Sequence, residues 1–295
     1  MHRAVIDLGT NTFNLLIADT QTRQVLFQTK EGVALGMGGI NEKRISDEAM
    51  VRALEALRQF KAHCLQWKVQ EIRAIGTSAL RDAKNAPDFL QKVFIELQIS
   101  IQIISGLQEA DLIYKGVQLT YDFAQPALIM DIGGGSTELI AATNEGPYLA
   151  QSFDIGVSRL FQAFDFSDPF SDADIHKVEA FLAQKCGTFF KQKLPQILIG
   201  SSGSFETFYE LMEERIFNSK SDSVEVDCNR FIHMLEQIMA STQAERDQNP
   251  HIIAIRKKMA PLAAIKTRWV LRQAQISQIL TSPYSLKEGV LFGSI

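Results

Sequence analysis

Apolar runs of strand length alternate along this chain with stretches whose apolar residues recur every three or four positions. Ala4-Val5-Ile6 opens a strand, and the short apolar runs at 72–75 and 197–199 belong to the same class. A helix is predicted over 46–67, with Asp47 and Glu48 in its first turn, where the dipole favours acids. Met50, Leu54, Leu57, Phe60 and Cys64 form its apolar stripe. A second helix starts near Asn85-Ala86-Pro87 and turns Phe89, Leu90, Val93, Phe94 and Leu97 inward. The alternation over 99–103 predicts a strand, and helices follow near 107–119, 171–193, 203–217 and 227–243. Pro261 divides the next stretch into 251–259 and 261–274. A strand over 276–280 precedes Ser285-Leu286-Lys287-Glu288, a capping box that opens a final helix. The mixture predicts an α/β protein.

A repeat organises these elements. Residues 6–17 read I-D-L-G-T-N-T-F-N-L-L-I and residues 130–141 read M-D-I-G-G-G-S-T-E-L-I-A. With Asp7 set on Asp131, Gly9 meets Gly133, Thr12 meets Ser136, and Leu15-Leu16 meets Leu139-Ile140. Each copy predicts a β-hairpin whose small turn residues can bring backbone N–H groups close to a ligand. One copy alone is also what an ordinary glycine turn would give. Two copies 124 residues apart, each with Asp at the strand end, point to a duplicated domain and a shared ligand. A second pair of loops follows the strands at 72–75 and 197–199: Gly76-Thr77-Ser78 and Gly200-Ser201-Ser202-Gly203-Ser204, each leading into a helix. Such loops offer free N–H groups and the positive end of a dipole to an anion. No G-K-[ST] follows either loop, which disfavours a P-loop NTPase. The pattern lapses between Tyr121 and Pro126, the expected boundary between the halves.

Composition narrows the partners. The 295 residues carry 30 Lys+Arg against 34 Asp+Glu, a net charge of -4 that argues against general nucleic-acid binding. With 46% hydrophobic residues and no apolar run near the roughly 18 residues of a membrane helix, a globular chain off the membrane is expected. The strand at Ala4 leaves no room for a signal peptide. Cys64, Cys186 and Cys228 form neither a zinc spacing nor a disulfide framework, so the cytoplasm is the expected compartment.

The segments I-D-L-G-T-N-T-F-N-L-L, G-T-S-A-L-R-D-A-K-N, I-I-S-G-L-Q-E-A, D-I-G-G-G-S-T-E-L and S-L-K-E-G-V-L together resemble the exopolyphosphatase/guanosine pentaphosphate phosphohydrolase (Ppx/GppA) family. They appear in its order and spacing over nearly the whole chain. The resemblance implies duplicated actin-like, ribonuclease H-like domains of the actin–sugar kinase–Hsp70 superfamily, facing across a cleft. The first would comprise residues 1–122 plus 285–295 and the second 123–284, the short two-domain form without the longer members' C-terminal helical domains. It implies Mg²⁺-dependent release of terminal phosphate from polyphosphate, guanosine pentaphosphate or both, and leaves a homodimer open. The family's catalytic base falls on Glu109, where a carboxylate at a helix start can orient or deprotonate a water. Asp7, Asp131 and Glu138 are hard oxygen ligands suited to Mg²⁺. Arg81 could pair bidentately with phosphate. The phosphate-binding set is Gly9, Thr10, Asn11 and Thr12; Gly133, Gly134, Gly135 and Ser136; and Gly200, Ser201, Ser202, Gly203 and Ser204.

The chain departs from the family's pattern at several points. Gln108-Glu109-Ala110-Asp111 stands where Glu-Glu-Ala-Arg is common, Ser202 replaces a glycine, and Glu206 stands near an expected arginine. Thr10 and Thr12 occupy positions where serine is usual. Two lost positive charges should weaken the hold on a polyanion or shift preference to a shorter one. From Gln248 to Lys287 there is no acid, while Arg256, Lys257, Lys258, Lys266, Arg268, Arg272 and Lys287 are basic, and part of this set could line a polyphosphate groove. The competing functions are a non-catalytic polyphosphate or alarmone binder and, ranked lower, an actin-like ATPase or sugar kinase.

Overall fold

The computed structural model describes residues 1–217 and 222–293. Strands β1 (His2–Leu8), β2 (Thr12–Asp19) and β3 (Gln24–Gly32) form an antiparallel meander, followed by helix α1 (Asp47–Gln66), β4 (Glu71–Gly76), the short helix α2 (Ser78–Asp82), α3 (Ala86–Leu97), β5 (Ile101–Ile103) and α4 (Gly106–Val117). The five strands make one mixed sheet in the order β3-β2-β1-β4-β5, with β4 and β5 parallel to β1. The chain then repeats the plan. A second meander, β6 (Ala127–Ile132), β7 (Thr137–Thr143) and β8 (Gly146–Phe153), leads to α5 (Val157–Ala163), α6 (Asp172–Cys186), β9 (Ile197–Ser201) and α7 (Ser202–Glu213). After β10 (Val224–Val226) come α8 (Cys228–Ala240), α9 (Gln243–Gln248), α10 (Ala260–Gln273), β11 (Gln278–Thr281) and α11 (Leu286–Phe292). The second sheet runs β10-β11-β9-β6-β7-β8, again with an antiparallel meander continued by parallel strands, β9 and β11, and with β10 antiparallel at the edge. This is the duplicated α/β architecture expected from the repeat.

Three apolar clusters hold it together. One fills the first sheet's helical side with Ile6, Leu8, Phe13, Leu57 and Phe60. Another fills the second sheet's with Leu128, Leu139, Phe205 and Phe231. The third lies between the sheets, joining Val5 and Leu16 of the first to Ile129 and Ile140 of the second through α4 and α11. Gly116 on α4 and Gly289 on α11 allow those helices to touch. A Cβ on Gly116 would stand 1.9 Å from the Ser285 carbonyl oxygen, and one on Gly289 would stand 1.8 Å from that of Leu112. Helix α11 also packs on β1. Residues 294–295, assigned to the first domain from sequence, lie outside the described residues.

Local signals located most elements, and the differences have local causes. Ser46 caps α1 by accepting from Ala49 N, and Ser285 caps α11 with Glu288. The helix expected over 251–259 is a single 3-10 turn, Ala254–Arg256. Its backbone bonds run i to i−3, from Arg256 N to Ile253 O and from Lys257 N to Ala254 O, while Asn249 Oδ1 accepts the His251 N–H and Arg246 Nε donates to Lys257 O. The helix expected over 171–193 ends at Cys186, with Gly187 as its cap. Phe94, expected inside, is 51% exposed, because α3 buries the face of Ala86, Phe89 and Val93 and Phe94 is rotated off it. The three cysteines are free thiols. Among the described residues no helix is long and apolar enough to cross a membrane.

Candidate active site

The two Asp-Gly turns meet at the mouth of a cleft of about 470 Å³ lined by both sheets. The close approach requires glycine. A Cβ on Gly134 would stand 2.7 Å from Asn11 Cγ, and one on Gly135 would stand 2.5 Å from Ser78 Oγ and 2.7 Å from Thr10 Oγ1. Ser158 at the start of α5 donates to Asn11 Oδ1, crossing from one half to the other. Arg159 makes a second crossing, donating to Gly135 O at 3.0 Å and to Asp82 Oδ2 at 2.6 Å. Gly9, Thr10, Asn11, Thr12, Gly133, Gly134, Gly135 and Ser136 all line the cleft, as do Thr77 and Ser78.

The hairpin registers place the carboxylates. Asp7 faces Asn14 across β1 and β2, and Asp131 faces Glu138 across β6 and β7, at equivalent positions of the repeat. In the first hairpin the partner is an amide that donates to Asp7 Oδ2 at 2.9 Å. In the second it is another acid. Asp131 Oδ2 accepts from Ser201 Oγ at 2.9 Å and from Ser285 Oγ at 2.5 Å, while Glu138 Oε1 accepts from Ser152 Oγ at 2.6 Å. Burial pushes the Asp7 carboxyl up to about 6, opposed by Asn14 and Lys287 and assisted by the charge of Asp131. Burial and then Asp131 raise Glu138.

Glu109 lies on the first turn of α4, whose N-cap Ser105 accepts from Gln108 N. It is buried, and burial followed by the charge of Glu138 raises it well above the ordinary carboxylate range. Arg81 opposes that shift: its Nη1 donates to Glu109 Oε2 at 2.9 Å and to Ile104 O at 3.1 Å. Arg81, expected to face phosphate, is instead engaged with Glu109.

The third loop contributes in two ways. Gly200 and Ser201 end β9, with Ser201 turned to Asp131, while Ser202, Gly203 and Ser204 start α7 and line the cleft. Ser202 has φ +67, and its buried Oγ has no hydrogen-bond partner among the described residues. The basic set from the C-terminal region is dispersed. Arg256 and Lys287 line the cleft. Lys266 is buried and donates to Thr137 Oγ1 and Ile155 O, and Arg268 and Arg272 both pair with Glu179. Lys257 donates to Asp247 O. The departures separate too: Gln108 completes the α4 capping box and Asp111 is exposed beside Lys115, whereas Glu206 lines the cleft, as do Ser202, Thr10 and Thr12.

Sequence reasoning missed Asn14, Ser152, Ser285, Lys30 and Arg159 as parts of the site. The repeat carried a signal for Asn14, which aligns with Glu138; the others come from separate elements. Among the described residues no three Asp, Glu, His or Cys side chains converge as a ready-made metal chelate. The donor set on the facing hairpins is nevertheless all oxygen. Such a set suits Mg²⁺ when one or two carboxylates share it with water and substrate phosphate.

Comparison with known proteins accords with this geometry. A model of the Ppx/GppA phosphatase family matches residues 16–295. The chain is similar to an exopolyphosphatase from Cytophaga hutchinsonii, with 35% identity and a TM-score of 0.95, over 99% of this chain and 97% of that one. It is similar to an exopolyphosphatase-like protein at 25% identity and a TM-score of 0.90, over 99% and 98% of the two chains. A PPX-GPPA enzyme from Aquifex aeolicus, 22% identical, shares the fold with a TM-score of 0.83 over 100% and 99%. With paired Asp-Gly hairpins, a buried glutamate between them and a family match over nearly its full length, the chain belongs to the Ppx/GppA phosphatase family.

Proposed function

We propose that this protein hydrolyses the terminal phosphoanhydride of inorganic polyphosphate, guanosine pentaphosphate or both. The observation that carries the reading is the buried Glu109 held by Arg81 in a cleft walled by two phosphate-type turns. The terminal phosphate is received by the turns at Gly9–Thr12 and Gly133–Ser136, whose small residues let backbone approach its oxygens. A water beside Glu109 attacks phosphorus in line with the bridging oxygen. Its oxygen forms the new P–O bond, the bridging P–O bond breaks, and the shortened chain leaves on that oxygen. Glu109 takes the water's proton, and its raised affinity for protons suits that task. Arg81 holds the carboxylate in place and opposes the rise in proton affinity that burial and Glu138 cause.

Asp7, Asp131 and Glu138 are the side chains that would hold Mg²⁺, directly or through water. When bound, the ion would neutralise charge on the phosphate oxygens. Support for polyphosphate comes from the relationship to the Cytophaga hutchinsonii exopolyphosphatase. A second reading, a binder without turnover, is favoured by Glu206, an acid in the cleft wall. Phosphate release from polyphosphate, guanosine pentaphosphate and ATP, measured in parallel with and without EDTA, tests these readings. Release from either of the first two, abolished by chelation, is the expected result. Release from ATP alone would favour an ATPase, and tight binding without any release would favour the binder.

A further inference from the structure

Glu206 and Lys30 form an ion pair across the cleft. Lys30 lies on β3, the edge strand of the first sheet, and Glu206 lies early in α7 beside the second, with Nζ and Oε2 3.5 Å apart. Arg256 completes this wall: a Cβ on Gly203 would meet its guanidinium, and its Nη1 donates to Thr207 Oγ1 at 2.9 Å. Lys287 is held by Glu288 at 3.0 Å and interacts electrostatically with both Asp7 and Glu206. Glu109, the aspartates and a cationic cluster of Lys30, Arg256 and Lys287 around Glu206 thus line one cleft, with Lys287 interacting with both Asp7 and Glu206. Burial pushes Glu206 up, but Lys30, Lys287 and Arg256 outweigh it and leave its carboxyl below the ordinary value. The acid is thus ionised and satisfied by the cations a polyanion would seek.

We propose that Glu206 is a specificity-determining residue, a resident counter-ion that makes the cleft favour short phosphoanhydride chains over long ones. The direction in which a chain lies rests on the hydrolase reading, with the terminal phosphate at Glu109. The first phosphates meet the hairpin turns. Each later one advances toward the cationic wall and must share Lys30, Arg256 and Lys287 with a carboxylate already among them. Like charges at such range in a partly buried site repel strongly, and salt weakens the effect. Short chains end before the wall.

The test measures equilibrium binding of tripolyphosphate and long-chain polyphosphate by calorimetry, and KM for each, at low and high salt. Glu206→Gln should tighten the long chain by about tenfold and tripolyphosphate by less than about threefold, with the gap shrinking as salt rises. Glu206→Asp, which keeps the charge, should keep the wild-type ratio. Equal changes for both chains, or none, would overturn the proposal. Should Glu206→Gln fail to fold, Lys30→Gln carries the test from the other member of the ion pair: a greater loss for the long chain supports the proposal, and an equal loss defeats it. Binding is read without turnover, so the two readings separate. A wild type that releases no phosphate yet shows the length-dependent change would end the hydrolase reading and leave this one standing. Release without any length-dependent change would do the reverse, and binding of neither chain would end both.

Discussion

Arg81 Nη1 stands 2.9 Å from Glu109 Oε2, joining the helix that follows β4 to the one that follows β5. The same guanidinium donates to Ile104 O, so its direction is fixed from two sides. Burial and the neighbouring Glu138 draw a proton toward this carboxylate, and Arg81 opposes both.

Glu109→Gln keeps the size of the side chain and removes its basicity. Turnover on polyphosphate or guanosine pentaphosphate should fall by about 10²–10⁴-fold, the usual contribution of a positioned base. Substrate binding should persist or tighten slightly, since one negative charge has left the cleft. Steady-state kinetics with calorimetric binding at matched folding gives the comparison. Unchanged turnover would remove Glu109 from the chemistry.

Arg81→Met tests the positioning role through pH. Arg81 lowers the Glu109 pKa against burial and Glu138, so its removal raises that pKa further. Less of the base is then ionised at a given pH. The acidic limb of kcat/KM should therefore move to higher pH. A limb that stays in place while KM rises would show Arg81 acting on substrate instead.

Lys266 offers a prediction about stability. It is buried beneath the second hairpin, and burial pulls it down to about 7, opposed by the charges around it, from an ordinary value of 10.5. Between those values the unfolded chain binds the proton and the folded chain does not, so stability rises with pH across the window. The rise is at most about 1.4 kcal/mol per pH unit and should be missing in Lys266→Met. Denaturant unfolding of both proteins from pH 7 to 10 isolates the difference, and parallel curves would refute it.

Ser202 carries a left-handed backbone and an unpartnered buried hydroxyl where glycine would carry neither. Ser202→Gly should stabilise the fold by about 0.5–1 kcal/mol, the left-handed penalty less glycine's extra chain entropy. Urea unfolding measures it. A loss of stability would mean the hydroxyl has a partner in solution.

The repeat at Asp7 and Asp131, the helix caps at Ser46 and Ser285, and the loops at Gly9–Thr12, Gly133–Ser136 and Ser202–Ser204 were legible in the sequence. Each depends on residues close together in the chain: a turn needs small residues at set spacing, a cap needs one side chain near free N–H groups, and a duplicated hairpin repeats its register. The helix expected over 251–259 shows the limit of that logic. The segment closes instead as one i to i−3 turn, with Asn249 and Arg246 bonded to its two ends.

The basic residues between 248 and 287 looked alike in the sequence and have different fates in the fold. Lys266 enters the core, Arg268 and Arg272 settle on Glu179, and only Arg256 and Lys287 among them line the cleft. Glu206 meets Lys30 across 176 residues of chain. Sequence alone determined the duplicated hairpins and their small-residue turns, because backbone geometry is set by near neighbours. Tertiary structure decided which charges share the cleft, because ion pairing falls off within a few ångströms and depends on how two separately built sheets are set against each other.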